Sequence, residues 1–168
     1  DGNLSPDGRH IDLTSKDRDL LRTFLRCLGI RVKIGTKKSG YTGGPCYRVQ
    51  IGNIKLYKWL LEIGLKPNKS KRINKIRVPN RFLADFLRGH LDGDGHFYVY
   101  QDPVYTGSTR LYVRFYAFNR RHLSWLRRKI KIAIGINGRI ASNANVWKLE
   151  YAKKESLVLI QYIYYNRS

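Results

Sequence analysis

Acidic residues are scarce in this chain of 168: 12 Asp and Glu stand against 33 Lys and Arg, a formal net charge of +21. A compact fold with so much like charge repels itself, and a polyanionic partner is the usual reason to tolerate it; nucleic acid fits best. Long apolar runs are also missing. None approaches the ~20 residues that span a bilayer, and no signal-type apolar stretch leads the fold, so a soluble protein with no membrane partner is expected. Cysteine is nearly absent: Cys27 falls on an apolar helical face, and Cys46 in a Gly-Pro turn that leads into a strand. Two cysteines make neither a zinc site nor a disulfide framework, which points to an intracellular compartment, cytoplasmic or, in a eukaryote, organellar or nuclear. What is plentiful is apolar residues, 42% of the chain and spread along it, enough for one domain or two small packed halves with a real core.

The chain contains itself twice, the segment from Asp1-Gly2 to about Leu65 being echoed from Asp94-Gly95 to about Tyr165. Each half passes through an extended stretch and a second strand to a polar cluster that starts a helix. In the first helix Leu20, Leu21, Phe24, Leu25 and Leu28 recur at helical spacing, with Thr14 or Ser15 as N-cap and Gly29 as the stop. In the second, Leu123, Leu126 and Ile130 form the stripe and Gly135 follows. Two strands come after each helix, Tyr47-Arg48-Val49-Gln50-Ile51 matching Trp147-Lys148-Leu149-Glu150-Tyr151. A closing helix presents Leu56, Trp59, Leu60 and Ile63 in one half and Leu157, Ile160 and Ile163 in the other, and Trp59, Trp125 and Trp147 are expected in the core. The order per half is strand-strand-helix-strand-strand-helix. A further helix, Arg81 to Leu91, precedes the second half; its counterpart would lie before Asp1, so residues upstream of Asp1 are expected in the natural protein. Proline and charge density mark 66–80 as a linker between a first repeat, 1–65, and a second, 81–168.

The most informative stretch is Phe86-Leu87-Arg88-Gly89-His90-Leu91-Asp92-Gly93-Asp94-Gly95, an apolar helix ending in two carboxylates separated by one glycine. Gly89 and Gly93 would let two such helices approach backbone to backbone, with Asp94 at the bottom of the pair. A second helix ending in Asp1-Gly2 would bring another carboxylate alongside, and two converging acids beside a basic surface suit a divalent metal and phosphodiester hydrolysis. Asp-Gly alone is most often a hairpin turn; the helix before it and the repeated Asp1-Gly2 set Asp94 apart. Asp92 is read as a local hydrogen-bonding or capping residue. A calcium loop fails, because His96 holds the next alternate position and Phe97 stands where the glycine is required. His90 and His96, too few for a metal cluster, are read as a helix-face residue and a strand residue near the bound partner.

Residues Leu87 to Gly95 resemble the LAGLIDADG motif, matching at Leu87, Gly89, Asp92, Asp94 and Gly95 and conservatively at Leu91 and Gly93, while Arg88 and His90 depart at variable positions. The order of elements is similar to that of the single-chain, two-repeat homing endonucleases of that family over nearly the whole chain, although only Asp1 and Gly2 remain of a first motif. This resemblance implies an α+β fold of two pseudo-twofold-related αββαββα repeats whose antiparallel sheets form a DNA-binding saddle, in a monomer with internal pseudo-dimer symmetry. It implies a site-specific endonuclease that makes metal-dependent breaks in both strands of double-stranded DNA at a long site, as in intron homing. Asp1 and Asp94, with Gly2 and Gly95 adjoining, would hold Mg²⁺ (or Mn²⁺) and form the catalytic pair. A basic residue at the end of the second strand, Lys16 beside Ser15 in the first half and Arg120 beside Asn119 in the second, would order water. The same fold could instead serve an RNA-binding intron maturase or a non-cleaving DNA-binding regulator; retention of both acids favours the nuclease.

The strands carry the expected DNA contacts. Along Arg110 to Ala117, Leu111, Val113, Phe115 and Ala117 face one way and Arg110, Tyr112, Arg114 and Tyr116 the other. Arg31, Lys33 and Lys37 oppose Val32 and Ile34, and Arg48 and Gln50 oppose Val49 and Ile51, in the same manner. Tyr98, Arg139 and Lys148 complete the set. Such strands could lie along a major groove, where Arg reads guanine and Gln reads adenine.

Overall fold

The computed structural model describes residues 2–38, 43–67, 73–105 and 107–165. It divides into two compact units, Asp1–Lys69 and Ser70–Ser168, each α+β and each built on one four-stranded antiparallel sheet.

In the first unit the order is β1 (Gly2–Leu4), β2 (His10–Ser15), α1 (Arg18–Leu28), β3 (Gly35–Lys38), β4 (Pro45–Gly52) and α2 (Ile54–Glu62), and the sheet runs β1-β2-β4-β3. Alternation decides the faces: Ile11, Val49 and Ile51 point to the core with Leu4, where they meet Leu21 and Leu25 of α1. Each such side chain contributes about 1.5–3 kcal/mol on burial. Helix α1 stops at Gly29 (φ 64), as its sequence predicts, but its N-cap is Asp17, which accepts from the amides of Asp19 and Leu20. Thr14 and Ser15 cannot cap because the β2 ladder still holds them, opposite Arg48 and Tyr47. Residues 31–34 form no strand: Arg31 and Lys33 are exposed in an irregular segment, while Val32 and Ile34 pack on the core, so burial alternates without ladder partners. Helix α2 is capped by Asn53 and turns Tyr57, 3% exposed, into the core, where its hydroxyl donates to the Ser5 carbonyl at 2.6 Å. Trp59 follows two positions later, about 200° round the helix, and is 53% exposed, not buried as its apolar stripe suggested.

In the second unit a 3₁₀ turn (Asn80–Phe82) leads into α3 (Leu83–Asp94), β5 (His96–Gln101), β6 (Thr109–Ala117), α4 (Arg120–Ile134), β7 (Arg139–Asn143), β8 (Val146–Tyr151) and α5 (Lys153–Ile163). The sheet order, β5-β6-β8-β7, is that of the first unit. Val113, Phe115, Leu149 and Tyr151 of the sheet pack with Leu87 and Leu91 of α3, Leu123, Leu126 and Ile130 of α4, and Leu159 and Ile163 of α5, all buried. Trp125 is buried and Trp147 half-buried. Part of the region read as linker belongs to this unit's surface: Ile76 is buried, Asn74 accepts from Asn119 at 2.7 Å, and Asn80 accepts from Lys129 at 3.2 Å.

The buried face of α5 is Ser156, Leu159 and Ile163; Leu157, expected there, is 50% exposed. Ser156 sets this phase. Its hydroxyl donates to the Tyr151 carbonyl at 2.7 Å and accepts from the Val113 amide at 3.1 Å, joining the helix to two strands. Ser156→Ala would leave a buried amide without a partner and is expected to lower the unfolding free energy by about 1–3 kcal/mol. Urea denaturation checks this, and an unchanged midpoint would show that the two hydrogen bonds contribute nothing net.

Candidate functional site

Helix α3 delivers the motif's acids to different environments. Asp92 accepts a hydrogen bond from the Tyr164 hydroxyl at 2.5 Å and lies 3.7 Å from Arg88, whose guanidinium sits over the Tyr164 ring. Burial, reinforced by the Asp92 carboxylate, pushes the Tyr164 hydroxyl up to about 12, so it remains a donor. Asp94, two residues on, is exposed, and among the described residues no hydrogen bond or ion pair engages its carboxylate. The helix ends there because Gly95 turns into extended backbone (φ −90, ψ 177) and its amide caps the Leu91 carbonyl at 2.9 Å. A Cβ on Gly95 would fall 2.6 Å from that carbonyl oxygen and 2.7 Å from the Leu91 Cα, both backbone atoms that cannot rotate away. Gly95→Ala is therefore expected to cost about 1–3 kcal/mol and to displace the last turn of α3; a thermal melt matching the parent would refute this. Gly89 and Gly93 are both exposed, four positions apart on one side of α3. Asp1 lies outside the described residues; Gly2 opens β1, paired with Leu13.

The polar face of the second sheet begins directly beyond Asp94. His96, Tyr98 and Tyr100 on β5 stand opposite Arg114, Tyr112 and Arg110 on β6, and Glu150 and Lys148 on β8 stand opposite Arg114 and Tyr116. Arg139 is exposed on β7 opposite Glu150. The Arg114 guanidinium lies over the rings of Tyr98 (4.9 Å) and Tyr112 (5.6 Å) and donates to Glu150 at 2.5 Å, with Lys148 3.1 Å from the same carboxylate oxygen. Burial works against the Glu150 charge, but Lys148 and Arg114 outweigh it and hold its carboxyl below the usual range. Arg110 is likewise paired, to Asp102, at 2.5 Å; the amides of Val104 and Tyr105, then Arg110, keep that carboxyl low. Tyr100 and Tyr112 stack with centroids 6.3 Å apart.

The first sheet places Arg48 and Gln50 of β4 on the face that also carries Asp12 and Thr14 of β2, and Lys37 of β3 shares it by register. Arg48 donates to Asp12 through Nε at 2.8 Å and through its terminal nitrogen at 2.5 Å. Gln50 is exposed. The acids Asp12, Asp102 and Glu150 therefore brace three arginines of the expected contact set. Sequence alternation could not find these partners, because pairing depends on strand register.

The ends of the second strands also differ from expectation in register. Lys16 is exposed just after β2, whereas Arg120 is the first residue of α4, after its N-cap Asn119. Aligning the two N-caps, Asp17 and Asn119, makes Arg18 the counterpart of Arg120, and the packing repeats: Arg18 lies over Tyr47 at 5.7 Å and Arg120 over Trp147 at 5.4 Å. Arg18 is the residue the sequence reading missed.

No protein-family model matches this chain, and no curated protein matches it. Solved structures do. Full-length DUF199/WhiA from Thermatoga maritima is 19% identical with a TM-score of 0.63 over 99% of this chain and 51% of its own, so this chain spans about half the length of that protein. The homing endonuclease I-WcaI bound to its DNA recognition sequence is 12% identical with a TM-score of 0.63, over 92% of this chain and 69% of its own. I-DmoI in complex with DNA and Mn is 16% identical with a TM-score of 0.61, over 99% and 89%. At these identities the likeness establishes the fold, the α+β LAGLIDADG fold of homing endonucleases.

Proposed function

We propose that this chain is a monomeric intracellular protein of two LAGLIDADG-type repeats, 1–65 and 81–168 joined by 66–80, that binds double-stranded DNA on the polar faces of its sheets. It cuts both strands at one long site with a divalent cation held by Asp94 and, in the first repeat, Asp1. The observation that carries the reading is the contrast at the end of α3: Asp92 is engaged by Tyr164 and Arg88, while Asp94 is exposed and free among the described residues. An unpaired carboxylate is a hard oxygen donor of the kind that Mg²⁺ or Mn²⁺ takes. When bound, the cation would supply Lewis acidity toward the phosphate and an activated water. The chain's own residues do the rest. Arg48, Arg110 and Arg114, their forks fixed by carboxylates, address guanine edges; Gln50 addresses adenine. Lys16 and Arg120 order water near the attacked phosphate, and Arg31, Lys33, Lys37 and Arg139 meet phosphates.

A second reading, a DNA-binding protein of this fold that does not cut, rests on the strand-face arginines Arg48, Arg110 and Arg114, whose carboxylate-braced guanidinium groups need no cation to meet DNA. Incubation of the full-length protein with a plasmid library carrying randomised inserts separates the two. Linear product that needs Mg²⁺ and disappears with chelator supports the nuclease; selective retention of one insert with no cutting under Mg²⁺ or Mn²⁺ supports the second reading.

A further inference from the structure

Helix α4 lies on the opposite side of the second sheet from the Arg110, Tyr112, Arg114 and Tyr116 face. Its buried stripe, His122, Leu123, Leu126 and Ile130, packs on the side to which Val113, Phe115 and Leu149 point. Its outer side carries Arg121, Arg127, Arg128 and Lys131, all exposed, and the helix has no acid anywhere along its length. At 100° per residue the four fall within about one third of the helix circumference, and the span from Arg121 to Lys131 is about 15 Å, several phosphates of a duplex strand. Among the described residues none of the four makes an ion pair, whereas Arg48, Arg110, Arg114 and Lys148 on the strand faces are paired with Asp12, Asp102 and Glu150. Arg139 on β7 is also without an ion pair among the described residues, but the densest run of such positive charge in this unit lies on α4, behind its sheet. Nor is the outer side a protein-docking surface of ordinary make: Ile132, 74% exposed, is its one large apolar residue, and Trp125 is buried. Without an exposed aromatic ring it offers no platform for stacking unpaired bases.

We propose that the outer face of α4 is a second binding surface for duplex DNA, engaging phosphates without reading sequence. The sheet stands between it and the strand face, so one straight duplex cannot occupy both, and the protein can hold two DNA segments at once. A protein so built passes directly from one duplex to another, because the incoming segment is captured before the first is released. The inference uses the DNA-binding reading of the strand face for the first duplex only and is independent of cleavage.

The test follows dissociation of the full-length protein from a fluorescent duplex of random sequence by stopped-flow anisotropy, as unlabelled duplex is added in increasing amounts. Direct transfer makes the dissociation rate climb with competitor concentration. In Arg121→Gln/Arg127→Gln/Arg128→Gln/Lys131→Gln, whose substitutions are exposed and keep helix-forming residues, the rate should become independent of competitor. A parent rate that does not depend on competitor, or a quadruple variant that transfers as fast as the parent, overturns the proposal. So does duplex RNA accelerating release where duplex DNA does not. Arg110→Gln/Arg114→Gln tells the two readings apart: parental affinity for the labelled duplex in this variant, with affinity lost in the quadruple variant, defeats the strand-face reading and not the helix face.

Discussion

Asp94→Asn is expected to reduce DNA cleavage by at least roughly 10³-fold, the several kcal/mol that a metal-holding group contributes to the transition state, while changing neither stability nor DNA affinity appreciably. The asymmetry follows from the environment of the side chain. Asp94 is exposed and makes no hydrogen bond or ion pair among the described residues, so an amide of the same shape removes only charge and cation affinity. Removing one negative charge from a surface proposed to face DNA should, if anything, tighten binding slightly. Asp92→Asn is the matched control. It keeps an acceptor for Tyr164 but weakens the contact with Arg88, so it should cost up to about 1 kcal/mol of stability and leave cutting largely intact. Supercoiled plasmid bearing the selected site, incubated with Mg²⁺, gives the cleavage rates, and anisotropy in Ca²⁺ gives the affinities. Equal loss of cutting in both variants would mean that the helix end acts as a structural unit, and undiminished cutting by Asp94→Asn would remove it from the chemistry.

Much of the fold is legible where a period repeats long enough to fix its own phase. Helix α4 runs 15 residues, and its stripe Leu123, Leu126, Ile130 and its stop at Gly135 read directly from spacing. The nine residues of β6 alternate without interruption and place Val113 and Phe115 inside. Phase is ambiguous in shorter elements. Nine residues of α2 admit a stripe through Trp59 or one through Tyr57, and only the Tyr57 hydroxyl's bond to Ser5, 52 positions away, selects the second. In α5 the choice rests on Ser156, a polar residue whose buried role no hydrophobic pattern reveals. The start of α1 shows two local signals in competition: Ser15 is a good cap by type, but cross-strand pairing with Tyr47 keeps it in β2 and leaves Asp17 to cap. In the candidate site, the motif and the positions of the basic strand residues are visible in the sequence, whereas the carboxylates that hold the arginines depend on contacts between residues far apart in the chain, 36 positions in two of the three cases. The equivalence of Arg18 and Arg120 appears only when the two caps are aligned.

The second unit should lose stability as pH falls from about 6.5 to about 4, and His122 is the cause. Its ring is 3% exposed, packed against Trp125 and against His90 of α3, with centroids 5.3 and 5.5 Å away, and its Nδ1 has no hydrogen-bond partner among the described residues. Burial, then the charge of the neighbouring His90, lowers its pKa from the ordinary 6.5 to about 4; a hydrogen bond with the Asn74 backbone opposes them only partly. The unfolded chain takes up a proton near pH 6.5 that the folded chain refuses until about pH 4. The contribution is therefore complete above pH 6.5 and is lost progressively below it, on the order of 3 kcal/mol in all. Glu150 and Asp102, whose carboxyls are held low, release their contributions only below the ordinary carboxylate range, so the histidine window stands apart from theirs. Guanidinium denaturation at pH 7.5, 6 and 5 measures the slope, and His122→Gln, which retains a donor for Asn74 but cannot titrate, should flatten it. Because His90 belongs to α3, packs against His122 and stacks on Phe115, protonation of His122 is expected to loosen the seat of the helix that ends in Asp94. Cleavage in the parent should accordingly decline faster below pH 6 than in His122→Gln; parallel declines would assign the acid limb to the carboxylates instead.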